Sequence, residues 1–112
     1  MSPRRGEVWL VDLGDPVGRE QPGTRPAVVV SANALNESRA GVVVVVPITT
    51  ADRGLASHVE IDRGSSGLDE VSYAKCEDVK SVSEQRLLGR LGVVDDGAMF
   101  QAARALCFLL DL

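Results

Sequence analysis

Val42 to Ile48 is the longest apolar run in the chain, seven residues of which five are valine. A membrane-spanning helix needs about 20 apolar residues, so this run is no membrane span. Its β-branched side chains suit a pleated strand. Val42 to Thr49 and the similar Ala27 to Ser31 therefore read as valine-rich strands, linked by the turn-rich Ala32 to Arg39. Upstream, Glu7 to Leu13 sets Val8 and Leu10 on one face and Trp9, Val11 and Leu13 on the other. Apolar residues on both faces predict a strand buried on both sides, in a barrel or under a partner subunit. His58 to Asp62 alternates strictly. That pattern turns Val59 and Ile61 inward and places His58 outward with Glu60, in solvent. Arg63 to Gly67 reads as a flexible loop. Tyr73 to Cys76 and Val79 to Val82 complete the internal strands.

Ser83 is placed to cap a turn or two of helix over residues 83–88, and Gly92 to Val94 forms a last strand. Asp95 then caps a C-terminal helix. Met99, Ala103, Leu106 and Leu110 share one apolar stripe there, widened by Phe100 and Cys107. The fold class that follows is mainly β with a C-terminal helix, a small barrel, with residues 1–112 as one domain. A chain of this length buries roughly 65% of its unfolded surface without metal or disulfide staples. Cys76 and Cys107 are too few and too far apart for a disulfide framework or a zinc site, and read as small hydrophobes in a reducing compartment. Pro3-Arg4-Arg5 is followed at once by Glu7 and Asp12, which spoils any signal-peptide core. A soluble, cytoplasmic chain with no membrane contact is expected.

The segment Gly14 to Thr24 separates the first two strands with eleven residues, three of them glycine and two proline. Hairpin loops need only about two to five, so an overlong one carries function more often than not. It delivers Arg25-Pro26 to the second strand, and Pro26 holds Arg25 extended. An always-charged guanidinium between a loop and a rigid sheet is suited to a phosphate. Net charge is -4, which argues against a general nucleic-acid coat, yet ten of the twelve cations are Arg. The strongest constellation joins Arg25-Pro26, Pro47-Ile48-Thr49 and the strands carrying Lys75 and Lys80. An Arg and a hydroxyl can together stabilise a pentacoordinate phosphorane. His58 is the only histidine, so a two-histidine acid–base pair cannot form within one protomer. Glu20 and Asp78 are the nearest candidate carboxylates. Ser65 and Ser66 lack any surrounding nucleophile or phosphate-loop pattern. No His, Cys or Asp cluster has metal-ligand spacing, and no cofactor is called for.

Several blocks run in order: Arg5-Gly6-Glu7-Val8-Trp9, Gly18-Arg-Glu-Gln-Pro-Gly-Thr-Arg-Pro26, Val45-Val46-Pro47-Ile48-Thr49, His58-Val59-Glu60 and Gln85-Arg86-Leu87. Together they resemble the MazF/PemK family of toxin endoribonucleases from toxin–antitoxin systems. The resemblance implies an SH3-like barrel, a homodimer, a MazE-like antitoxin as partner, and metal-independent cleavage of single-stranded RNA at short sequences. Its substrate is mRNA, with tRNA and rRNA left open. By the same resemblance Arg25 and Thr49 are the catalytic pair, and Arg19, Glu20, Gln21 and Thr24 in the loop help bind RNA. Lys75, Asp78, Lys80 and Arg86 complete the proposed RNA contacts. The resemblance further implies that the substrate 2′-OH attacks its own phosphate, leaving a 2′,3′-cyclic phosphate and a 5′-OH, with Arg25 expected to neutralise the phosphorane and protonate the leaving oxygen. The base stays open between Glu20 and water.

One departure concerns Glu77-Asp78-Val79-Lys80, where many relatives carry Glu-Gln, an apolar residue and Arg. Asp78 repels phosphate but accepts hydrogen bonds from base amino groups. Two rival functions remain: a gyrase-poisoning toxin of the CcdB type, and a non-catalytic family member. CcdB-type relatives rely on an aromatic C-terminal end, whereas this chain closes Leu109-Leu110-Asp111-Leu112.

Overall fold

In the computed structural model, which describes residues 2–14, 17, 18 and 23–112, the valine strands occupy the middle of one antiparallel sheet. The elements in chain order are β1 (Glu7–Asp12), β2 (Thr24–Val29), α1 (Asn33–Asn36), β3 (Val42–Thr49), β4 (His58–Ile61) and β5 (Ser72–Lys75), then β6 (Lys80–Ser83), β7 (Leu87–Val93) and α2 (Asp96–Leu110). Short 3₁₀ turns at Cys76–Asp78 and Glu84–Arg86 precede β6 and β7. The strand order is β4-β5-β3-β2-β1-β7, and β6 also pairs with β3. Val45 of β3 faces Val29 on one side and Lys80 on the other. Farther along, Ile48 and Thr49 pair with Ala74 and Tyr73 of β5. Pro47 falls where β3 changes partner from β6 to β5, so its missing N–H costs no bond of either ladder.

Period-2 alternation sorts the valines into two cores. Val8, Val28, Val30, Val46 and Ile48 face one cluster with Val59, Ile61, Ala74 and Cys76, under Ala98, Met99, Ala102, Ala105 and Leu106 of α2. Val11, Ala27, Val29, Val43, Val45 and Val82 form the other, flanked by Trp9, Leu13 and Leu87. Each central strand is thus buried on both faces, which is why valine runs without polar interruption. On the second face of β1, Val11 is 0% exposed, while Trp9 and Leu13 are half-buried.

Several expected boundaries move. Strand β2 begins at Thr24, so Arg25 and Pro26 lie inside the ladder opposite Val11 and Leu10. The helical turn after Ser83 is brief, although Ser83 Oγ does accept from Gln85 N at 3.2 Å. Leu87 and Leu88 belong to β7, which starts five residues before the expected last strand. Asp95 caps α2 through Ala98 N at 2.7 Å, but the buried stripe of α2 is 98–99–102–105–106. Phe100, Cys107 and Leu110 are exposed instead. A helix lying across a twisted sheet buries its smallest residues where it crosses closest, here the alanines. Among the described residues no helix is long and apolar enough to cross a membrane.

Candidate functional site

Arg25 of β2 and Thr49 at the end of β3 line one surface cleft of about 290 Å³. Antiparallel pairing of β2 with β3 brings these strand ends together: Ala27 stands opposite Pro47, so residues just before Ala27 and just after Pro47 share one end of the sheet. Thr49 Oγ1 accepts the Ala51 N–H at 3.2 Å. That bond uses a lone pair and leaves the hydroxyl proton to donate elsewhere. Tyr73, opposite Thr49, hydrogen-bonds Asp52 in the following loop. Burial first, then the Asp52 and Glu60 carboxylates, raise its phenol above the ordinary tyrosine pKa.

The rest of the cleft wall is the segment Gly67 to Glu70 with Ser72, joined by Leu91 of β7. Residues 63–67 are not the flexible loop expected. Val93 N donates to Ser65 O at 2.8 Å and Gly67 N to Gly64 O at 2.9 Å. Ser66 is buried, its Oγ donating to Asp62 O at 2.7 Å and accepting from Leu68 N at 3.3 Å. The chains approach so closely that a Cβ on Gly67 would lie 2.1 Å from Leu91 O, and one on Gly92 2.2 Å from Ser65 O. Asp69 and Glu70 enter the cleft on this wall, far from Arg25 in sequence; two acidic residues ahead of a strand gave no signal of that placement.

The other expected contacts among the described residues are not part of the cleft lining. Thr24 is exposed opposite Asp12. Arg86 Nη1 donates to Asp12 O at 3.2 Å, beside Gly14 at the foot of the β1–β2 loop. Lys80 faces Val45 in the β3–β6 ladder. Lys75 and Asp78 pair at 3.2 Å with side chains only 11% and 15% exposed. Arg19, Glu20 and Gln21 lie outside the described residues.

His58 corrects the expectation of an exposed side chain. Its side chain is 3% exposed, and its Nε2 lies 2.9 Å from Glu77 Oε2. An ionised carboxylate only accepts, so Nε2 carries the proton. Strand β4 pairs with β5 at His58 opposite Lys75, which folds the Cys76–Asp78 turn back over the imidazole. Ser57 Oγ also donates to Glu77 Oε1 at 2.8 Å. Burial opposes ionisation of Glu77, but hydrogen bonds from His58, its own backbone and Ser57 outweigh it and hold the carboxyl below the ordinary value. Next to it, Cys76 is buried, and desolvation, then Glu77, push its thiol up to about 11. Such a thiol is inert at neutral pH. Among the described residues no group of three or more His, Cys, Asp or Glu side chains could hold a metal ion.

With this geometry in hand, the chain compares closely with known proteins. It is 36% identical over 114 residues to "Endoribonuclease MazF9" of Mycobacterium tuberculosis, covering 97% of both chains. It superposes on the crystal structure of a MazF from Deinococcus radiodurans with a TM-score of 0.85 at 23% identity, over 100% of this chain and 99% of that one, a likeness of fold. A mycobacterial endoribonuclease solved in complex with its cognate antitoxin matches with a TM-score of 0.82 at 30% identity, over 99% and 97% of the two chains. The model of the PemK-like, MazF-like toxins of type II toxin–antitoxin systems matches residues 4–110, and the chain belongs to that family.

Proposed function

We propose that this chain is the toxin of a type II toxin–antitoxin pair, an endoribonuclease that cleaves single-stranded RNA through Arg25 and Thr49. The observation that carries this reading is the shared cleft: a guanidinium and a hydroxyl, distant in sequence, line one pocket wide enough for a phosphate group. Family membership and the endoribonucleases among its relatives support the same reading. The substrate's own 2′-oxygen bonds to phosphorus while the bond from phosphorus to the 5′-oxygen breaks, leaving a 2′,3′-cyclic phosphate and a 5′-OH. Arg25 donates to the non-bridging oxygens as negative charge builds there and supplies the proton to the leaving 5′-oxygen. Thr49 donates its hydroxyl to the same phosphorane, because its acceptor side is engaged by Ala51 N–H. The 2′-OH proton passes to an acceptor, for which Glu20 and water are the candidates.

RNA places the site of action in the cytoplasm, and residues 1–112 act as one domain. The partners are a MazE-like antitoxin, by analogy with the relative solved with its cognate antitoxin, and a second copy of the chain. The exposed Phe100, Phe108, Leu110 and Leu112 of the α2 end support a homodimer.

The test is cleavage of RNA by Arg25→Ala, assayed in chelator beside a gyrase supercoiling assay. Arg25 is exposed, so the variant folds. Losing one preorganised donor slows cleavage by about a hundredfold or more, and a single 2′-deoxy sugar 5′ of the scissile phosphate blocks it. Wild-type turnover in the folded variant would remove Arg25 from the chemistry.

A further inference from the structure

The cleft that holds Arg25 and Thr49 also carries two carboxylates that the phosphate chemistry leaves unused. Asp69 and Glu70 line it, and both are exposed. Among the described residues no ion pair or side-chain hydrogen bond engages either of them. Asp78 differs, because Lys75 already neutralises it at 3.2 Å. Nor are the two carboxylates on a loose tether. The Glu70 carbonyl accepts from Ser72 Oγ at 2.9 Å, and Gly67, two residues before Asp69, packs its backbone directly on Leu91.

An RNA strand brings a negative charge with every phosphate, so carboxylates beside it are repelled by the backbone. Ionised Asp and Glu only accept hydrogen bonds. They gain by facing N–H donors, and in single-stranded RNA those donors stand on the Watson–Crick edges of unstacked bases. Ile48, Leu68 and Leu91 of the same cleft offer apolar surface to the face of a base. Cation, hydroxyl, carboxylates and apolar floor together match one nucleotide: phosphate at Arg25 and Thr49, base at the far wall.

We infer that Asp69 and Glu70 read the nucleobase next to the scissile phosphate and select one carrying an exocyclic amino group, so cytosine, adenine or guanine over uracil. Uracil offers a single N–H between two carbonyl oxygens, and those oxygens repel a carboxylate. The inference rests on the ribonuclease reading above and adds a rule of substrate choice to it.

The experiment first maps cleavage on a long transcript. It then measures kcat/KM on short RNAs that differ only in the nucleotides on either side of the cut. Non-cleavable 2′-deoxy versions of the same oligonucleotides are titrated by fluorescence anisotropy. The wild type is expected to favour an amino-bearing base over uracil by about tenfold or more, the scale of a good side-chain–base contact. Asp69→Asn with Glu70→Gln removes both negative charges and turns one acceptor oxygen of each carboxylate into an amide donor that suits the uracil carbonyls. The ratio should then fall by about tenfold, in turnover and in binding alike, and the two single variants apportion the effect. An equal loss of turnover on every RNA with the base ratio unchanged would overturn the inference, pointing to proton transfer or folding instead. A wild type indifferent to the flanking base would overturn it as well. If the wild type cut no RNA, the ribonuclease reading would fall by itself, and the anisotropy ratios would still decide whether the two carboxylates select a base.

Discussion

Gly92→Ala tests whether the far wall of the cleft is held by direct backbone contact. A Cβ at Gly92 would lie 2.2 Å from Ser65 O and 2.5 Å from the Ser66 carbonyl carbon. Both are backbone atoms, so no flexible side-chain end can swing away. Ordinary non-bonded contact requires roughly 1 Å more separation. Forcing that gap costs about 1–3 kcal/mol as overpacking, and losing the Val93 N–H to Ser65 O bond, 2.8 Å long, adds about 1 kcal/mol. A total of about 2–4 kcal/mol is a large part of the roughly 5–15 kcal/mol that holds a domain. It corresponds to a Tm lower by about 8–16 °C for a chain of this size. The wall carrying Gly67 to Glu70 moves with the Ser65 contact, and a displacement of about 1 Å at a reactive cleft can cost about a hundredfold in rate. Thermal melts followed by circular dichroism, with cleavage assayed well below both Tm values, measure the two effects separately. Gly89→Ala is the control on the same strand, where a Cβ meets nothing within 4 Å, and it should stay within about 0.5 kcal/mol of wild type. If Gly92→Ala matched Gly89→Ala in both Tm and rate, the backbone-contact explanation of the wall would be wrong.

Thr49→Ala should lose at least about tenfold in cleavage rate while Thr49→Ser keeps most of it, since the hydroxyl alone is assigned a role; equal loss in both would implicate the methyl group and packing. Val45→Ala, at a position 0% exposed in the second core, removes two methyl groups and should destabilise by about 2 kcal/mol in urea melts. A change near zero would mean that this core can collapse around the gap. Glu77→Gln probes the pair with His58. The folded-state pKa of Glu77 is depressed, so its ionised form stabilises the fold above the unfolded-state value of about 4.3, and that contribution is lost as pH falls through the lower folded value. Urea melts at several pH values should show wild type more stable than Glu77→Gln at pH 7, with the gap closing in acid below about pH 4. A gap independent of pH would place the effect in packing.

Much of the fold was legible because burial leaves a pattern in the chain. Uninterrupted valines over 42–46 predicted a strand there, which β3 is, and strict alternation at 58–62 placed Val59 and Ile61 correctly. His58 was misplaced by the same alternation. A period of two gives the side of the sheet, and cannot foresee that the Cys76–Asp78 turn folds back so that Glu77 meets His58 on that outer side. The α2 stripe held at Met99 and Leu106 and failed at Phe100, Cys107 and Leu110, for a related reason. Leucine and phenylalanine dominate any hydrophobic pattern, yet the crossing of α2 over the sheet leaves room for alanine, and Phe100, Phe108 and Leu110 remain outside.

For the site, local chemistry within the sequence determined two things: an extended Arg25 held by Pro26, and Thr49 closing a strand after Pro47. Their meeting in one cleft follows from the register of β2 on β3, which the ladder sets through its hydrogen bonds. Nothing in residues 63–70 announced a rigid wall. Its rigidity comes from Gly67 and Gly92, which lack the Cβ atoms that would keep two backbones apart, and neither glycine has its partner nearby in sequence. Residue type and spacing settled which groups could do chemistry, because those are properties of single side chains and short segments. Only the tertiary structure settled which groups face one another, because contact across a sheet depends on strand order and register.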